Sequence, residues 1–282
     1  MIFVPRTFRM IRLGVVHMLL AAACCFTVFP FLWMAVSSLK TKAEDMAADA
    51  FLPSTPQYGN YLEIVFHSPI PRYLANSLLV AVSVAAIQVI CCSFFAYGVT
   101  FMRIRGRDML FRLVLFTYMV PTAVTYIPCY IILSRLGLLD SYHGLILSNG
   151  VSVLGIFLLR QAFEAVPMET MEAARMDGAG HFRILTGVVF PMTRPSFVTF
   201  ILLSFINTYN SYMWPSLITD ADEKMMVSQG LRKFFIEGGA YGTEWPLVMA
   251  GSTLIVLPLL ILFAFTQKWF INGIGGDTGM KG

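Results

Sequence analysis

At 282 residues the chain has room for one or two domains, but 57% of it is hydrophobic, only 13% is charged, and the mean hydropathy is +0.71. Soluble domains run at about 45–50% apolar and about 25% charged residues, so an ordinary soluble fold is excluded. The net charge of +4 is not gathered into a basic patch on a soluble face, which excludes nucleic acid as a partner.

Apolar runs long enough to cross roughly 30 Å of hydrocarbon as helices predict spans at about 14–38, 74–101, 110–133, 143–162, 193–216 and 245–267. A β-barrel needs segments of alternating polarity, whereas stretches such as Ser77-Leu78-Leu79-Val80-Ala81-Val82 are continuous. The expected fold is all-α and integral to the membrane: a single transmembrane domain over residues 1–282 with six transmembrane helices and a cytoplasmic loop at about 163–192.

At the N-terminus, Arg6, Arg9 and Arg12 precede an apolar run containing Ala21-Ala22-Ala23-Cys24, loosely like a lipoprotein signal. The run continues to Val36, too long for a signal core, and reads as an uncleaved span. His17, alone on that helix, reads as structural. The segment 40–72 carries Pro53, Pro56, Pro69 and Pro71 and reads either as a functional loop or as a solvated connector. Cys24, Cys25, Cys91, Cys92 and Cys129 all lie in apolar runs without metal-ligand spacing, so they read as small packing residues. Helix breakers interrupt the third span (Pro121, Pro128) and the fourth (Asn149-Gly150).

Residues 172–191 form the one long polar stretch between spans on the inner side. Pro167 suits a helix start, Met168 to Asp177 reads as a short helix, and Gly178 suits the left-handed residue that ends it. A second short helix is expected from Gly180 to Phe190, stopped near Pro191. Glu172 and Arg175, three apart, pair with each other or across an interface. Ala173 and Ala174 leave a slim surface for another body. An ordinary amphipathic connector remains the competing reading.

The fifth span turns polar and aromatic at its end: Asn207, Thr208, Tyr209, Asn210, Ser211, Tyr212, Trp214. Asn207, Tyr209, Asn210 and Ser211 are the candidate pore or substrate contacts. The competing readings are helix–helix glue for the amides and an interfacial aromatic belt for Tyr212 and Trp214. Segment 217–244 follows, rich in acidic residues and glycine, and a glycine-rich tail closes the sequence after the sixth span.

Loop charge orients these spans. With the N-terminus inside, the inner segments hold Arg6, Arg9, Arg12, Arg103, Arg105, Arg107, Arg112, Arg160, Arg175, Arg183, Arg194, Lys268 and Lys281, 13 of the 20 basic residues, against 7 outside. Positive-inside therefore places both termini in the cytoplasm. No span interior carries Asp, Glu, Lys or Arg, which counts against an ion-coupled carrier. No H-E-x-x-H pattern supports a membrane-embedded zinc enzyme, and no G-x-x-x-x-G-K-[ST] phosphate loop gives the chain its own ATP site. Those two classes, an ion-coupled secondary carrier and a membrane-embedded enzyme, stand as the alternatives.

Glu172-Ala173-Ala174, three residues, Gly178, nine residues, Val188, one residue, Phe190-Pro191 resembles the EAA loop of ABC-importer permeases, EAA-x3-G-x9-I-x-L-P, with Val188 for Ile and Phe190 for Leu. Arg105-Gly106-Arg107-Asp108, Ser134 to Leu138, Gly155 to Gln161, Tyr212 to Pro215, Gly242 to Trp245 and Phe270 to Gly273 extend the similarity. They are similar to the carbohydrate-uptake branch, in particular to the six-span second permease of maltose and glycerol-3-phosphate importers.

The resemblance implies a prokaryotic inner- or plasma-membrane subunit that forms half of a pore with a second permease subunit. Glu172, Ala173, Ala174, Asp177, Gly178, Val188 and Pro191 would couple it to two cytoplasmic ATPase subunits. ATP and Mg would sit on those partners, with no cofactor, metal or catalytic residue in this chain. An extracytoplasmic sugar-binding protein would deliver cargo and contact segment 217–244, and membrane lipid surrounds the spans. The glycine-rich tail is expected to touch the ATPases.

Overall fold

The computed structural model describes residues 6–47, 51–237 and 244–274. Every regular element among them is helical: an apolar segment in hydrocarbon must satisfy its own backbone, and a helix does so within itself. The elements are α1 (Arg6–Ser37), α2 (Lys42–Ala47), α3 (Gly59–His67), α4 (Ile70–Phe101), α5 (Arg107–Thr117), α6 (Thr122–Arg135), α7 (Tyr142–Ser148), α8 (Val153–Glu164) and α9 (Met168–Met176). Next come α10 (His181–Ile184), a π turn (Leu185–Val189), α11 (Phe190–Met192), α12 (Arg194–Tyr209), α13 (Met213–Ile218), a 3-10 turn (Asp222–Lys224), α14 (Val227–Glu237) and α15 (Trp245–Ile274).

Two compact units divide the chain: Met1–Ser68 with Lys233–Val256, and Pro69–Arg232 with Leu257–Gly282. In the first, α1 is a long apolar helix whose His17 Nδ1 lies 2.7 Å from the Leu13 carbonyl of its own preceding turn, a structural role. The segment after α1 is an organised turn. Thr41 and Glu44 form a capping box at the start of α2: the Thr41 N–H donates to Glu44 Oε2 at 2.9 Å and the Glu44 N–H to Thr41 Oγ1 at 3.3 Å. The Thr41 backbone N–H, and then Ser54, hold the Glu44 carboxyl down at about 2. Asn60 of α3 donates to the carbonyls of Ser38 (2.8 Å) and Lys40 (3.1 Å), tying α3 to the end of α1.

The second unit is built around α4, which packs on α8 and α12. Its inward face is small or apolar, with Val80, Ala81, Val84, Cys92 and Ala96 almost fully buried. One core cluster gathers Cys92, Tyr97, Ile156, Leu159, Phe163, Met171, Val189, Phe197 and Phe200; a second gathers Val80, Val84, Leu133, Leu145, Trp214 and Met226. Trp214, weighed in the sequence as a belt residue, lies inside this second cluster. Its Nε1 donates to Ser148 Oγ at 2.8 Å and its ring stacks on Tyr126.

Span geometry departs from six simple rods. Among the described residues, Leu13–Ser37, Ile70–Phe101 and Trp245–Lys268 are each long and apolar enough to cross a membrane alone. The run expected at 110–133 is instead α5 and α6, bent by 98° at a break ending in Pro121. Proline cannot donate a helical hydrogen bond and disfavours helical geometry in the residue before it. The run at 143–162 is α7 and α8, bent by 47° across Asn149–Ser152. The run at 193–216 ends as a helix at Tyr209 and resumes as α13, and an 88° bend at Thr193 separates it from the helix before it.

After α13, residues 219–226 form a pinned cap. Asp140, at a left-handed φ of +49°, accepts from the N–H groups of Asp220 (3.2 Å) and Ala221 (3.0 Å) and pairs with Lys224 Nζ at 2.9 Å. Asn76 of α4 donates to the carbonyls of Glu223 and Met225, both at 2.9 Å. The Ala221 N–H, then Lys224, hold the Asp140 carboxyl below its ordinary pKa. A carboxyl lowered in the native state stabilises it fully above its unfolded pKa of about 3.9, and that contribution is lost as pH falls through the native value. Asp140→Asn is expected to raise hydrogen exchange at 220–224 at pH 7 and to remove the acid-dependent step below about pH 4. Unchanged exchange in the variant at both pH values would refute the pinning.

Candidate coupling surface and inner cavity

α9 starts one residue after Pro167, which is the N-cap rather than part of the first turn. It ends in a Schellman motif: the Gly178 N–H bonds the Arg175 carbonyl and the Ala179 N–H the Ala174 carbonyl, both at 3.0 Å. Gly178 sits at φ +76°, so the residue type the sequence put there is the one the backbone needs.

α9 has two faces. Met171 is fully buried and Ala174 half-buried against the first core cluster. Glu172, Ala173, Asp177 and Gly178 are exposed, flanked by exposed Met168, Met176 and Phe182. Apolar side chains left in solvent beside a rigidly capped helix make a surface suited to another protein. Arg175 turns away from Glu172: its Nη2 lies 3.4 Å from the Phe101 carbonyl, which holds α9 to the end of α4. Of the return residues, Val188 packs half-buried on the core from the π turn, whereas Pro191 is exposed. The second helical stretch runs past the expected stop at Pro191 to Met192, with the π turn next to the residue that lacks an N–H.

Beside α9 lies an open cleft of about 950 Å³ lined by Arg103, Arg105, Arg107, Glu172, Arg175 and His181 among others. Two sequence blocks meet at this end of the unit. Arg160 pairs with Asp108 at 3.1 Å and Glu164 at 2.9 Å and stacks 3.8 Å from the Phe111 ring centre. Arg160 thus ties α5 to α8, a role that the charge count alone leaves unread.

Elsewhere in the unit, α4, the α7–α8 break and α12 line a partly open cavity of about 120 Å³. Asn207 and Ser211 line it; Tyr209 is fully buried in packing and Asn210, the residue after α12, is exposed and lies outside the lining. Asn210 keeps helical geometry as the C-cap, its N–H bonded to the Ile206 carbonyl at 3.0 Å, but of the two amides only Asn207 lines the cavity. Gln88 and Ser204 also line the cavity. A search of the spans for charge passes over both; an amide near the middle of an apolar run is the signal that singles out Gln88. The glycine tail and residues 238–243 of the outer segment lie outside the described residues.

Comparison with known proteins bears on these surfaces. Residues 88–275 match the family model described as binding-protein-dependent transport system inner membrane component. The sn-glycerol-3-phosphate transport system permease protein UgpE of Brucella abortus (strain 2308) is 29% identical over 266 residues, covering 92% of this chain and 94% of that protein. The arabinooligosaccharides transport system permease protein AraQ of Bacillus subtilis (strain 168) is 30% identical over 258 residues, covering 89% and 91%. A chain from the crystal structure of a bacterial ABC transporter for the import of the acidic polysaccharide alginate superposes with a TM-score of 0.84 at 26% identity, covering 96% of this chain and 100% of that one.

Proposed function

The chain belongs to the family of binding-protein-dependent transport system inner membrane components, and from that premise we propose that it forms half of the translocation pore of an ATP-driven sugar importer. The relatives are permease proteins for glycerol phosphate and arabinooligosaccharides, so the cargo is a sugar or a related polyol. A second permease subunit completes the pore, and an extracytoplasmic binding protein delivers cargo to the outer cap around Asp140 and residues 219–226. Two cytoplasmic ATPase subunits hold ATP and Mg; this chain hydrolyses nothing itself. Both termini lie in the cytoplasm, as the distribution of arginine supports.

The observation that carries this reading is α9: a short helix, anchored by Met171 and closed by Gly178, that offers Glu172, Ala173 and Asp177 outward. Anchored on one face and bare on the other, it transmits a push from a bound ATPase into the core that joins α4, α8 and α12. Glu172 is the contact and Gly178 the fixed end. Val188 to Pro191 form the return to α12.

The test is co-expression of the chain with its second permease and a tagged ATPase, followed by ATP hydrolysis in nanodiscs with and without sugar-loaded binding protein. Co-purification and stimulation by the loaded binding protein are expected. Glu172→Lys should lower both. A complex that assembles and is stimulated equally well with Glu172→Lys would remove α9 from the coupling role.

A further inference from the structure

The coupling loop and the cap at residues 219–226 are both bonded to α4, which carries an inference about how they communicate and rests on the importer reading above. At the coupling end, Tyr97 is 4% exposed. Its hydroxyl lies 3.0 Å from Nδ1 of His181, the first residue of α10, and the two rings meet edge to face with centroids 5.8 Å apart. One turn further along α4, the Phe101 carbonyl faces Arg175 Nη2 at 3.4 Å, and the Arg175 guanidinium also acts on the Tyr97 hydroxyl. The two helices on either side of the Gly178 cap are thus each fastened to the end of α4, α9 through Arg175 and α10 through His181. The apolar contacts of Met171 hold α9 close without fixing a direction. A hydrogen bond does fix one, because it weakens steeply away from its line.

The other end of α4 holds the cap. Asn76 Nδ2 bonds the Glu223 and Met225 carbonyls, and Ser77 Oγ accepts from the Val227 N–H at 2.8 Å. Between the two ends, Gln88 Nε2 donates to the Asn149 carbonyl at 2.6 Å, where α7 and α8 break. About 30 Å of helix separates Asn76 from Tyr97 at 1.5 Å per residue. Among the described residues, three helices are long enough to cross a membrane alone; α1 contains Pro30 and α15 contains Pro258, whereas α4 has no proline beyond Pro71 in its first turn. Helices yield at prolines and breaks, so α4 is the stiff member of the set. Coupling between distant sites travels through rigid elements joined by hydrogen bonds. We propose that α4 is the strut that links the coupling loop to the cap, and that Tyr97 and His181 are positioning residues whose hydrogen bond makes the loop and α4 move together. A binding protein seated at the cap then acts on the ATPase through α4.

The experiment uses the whole complex in nanodiscs and reads the stimulation of ATP hydrolysis by binding protein loaded with arabinotriose or sn-glycerol 3-phosphate. Tyr97→Phe removes only the hydroxyl, and His181→Gln moves the polar group away from the Nδ1 position. Each should lower the stimulation roughly three- to tenfold, the range that one hydrogen bond sets. The melting temperature and the amount of co-purified ATPase should match wild type, because His181 is exposed and water replaces the lost bond. Asparagine places an amide atom where Nδ1 stands, so His181→Asn should keep most of the stimulation. Asn76→Ala frees the opposite end of α4. Combined with Tyr97→Phe it should do no more harm than the worse single variant, as two links in series behave, whereas independent sites add in free energy. A Tyr97→Phe complex stimulated as well as wild type, equal behaviour of His181→Asn and His181→Gln, or losses that multiply in the double variant overturn the strut while the importer stands. A wild-type complex that neither loaded binding protein stimulates, and that takes up neither probe in proteoliposomes, overturns the importer reading and the strut with it.

Discussion

Gly178→Pro is expected to abolish uptake, by more than tenfold, while the protein still inserts in the membrane at normal levels. Gly178 lies at φ +76° and donates its N–H to the Arg175 carbonyl. Proline is fixed near φ −65° and has no N–H to give, so it fails on both counts. The Schellman cap then opens, and the orientation of α9 relative to α10 is no longer set. No apolar span is touched, so insertion proceeds, because it depends on the runs of hydrocarbon-compatible residues. Gly178→Asn is the graded control: asparagine enters the left-handed region at modest cost, and transport should fall only slightly. Equal uptake by wild type and the proline variant would show that the cap does not set the coupling geometry.

Gly155→Val should produce a large loss of stability. Gly155 opens α8, where its N–H is taken by Ser152 Oγ at 3.1 Å. A Cβ built there lies 2.2 Å from both Cε2 and Cζ of Phe200, closer than real side-chain contacts allow. Phe200 is 1% exposed and belongs to the first core cluster, so it has little room to retreat. Overpacking of this kind costs about 1–3 kcal/mol and acts where α8 and α12 approach each other. Scanning fluorimetry of the purified protein should record a clear drop in melting temperature. The double variant with Phe200→Leu should recover part of it, because the shorter side chain vacates the ring positions that Cβ meets. A Gly155→Val protein as stable as wild type would mean that the two helices do not pack as closely as described here.

The two glycines differ in how they can be read. Gly178 is visible in the sequence, because a glycine just past a short amphipathic helix announces a left-handed cap through local chain geometry alone. Gly155 is not, because its reason is the Phe200 ring, which arrives from another helix. Arg160 repeats the lesson. Counted as one inner charge, it orients the spans; that it also clamps Asp108, Glu164 and the Phe111 ring depends on how α5 and α8 meet. Asn207 and Asn210 lie three residues apart at the end of α12, and that only Asn207 lines the cavity depends on the helices packed around it.

The sequence by itself determined what is local. Apolar length established a helical membrane protein, since a helix in hydrocarbon must bond its own backbone. The Glu172 to Gly178 spacing announced a short helix with a left-handed cap, since one turn of helix and its cap are built from neighbouring residues. Only the tertiary structure decided the 98° bend at Pro121, the burial of Trp214, the anchoring of α9 through Met171, and the cavity that brings Gln88 to Ser204 and Asn207. Those features depend on which faces of distant helices meet, and in apolar spans many faces look alike until packing chooses one.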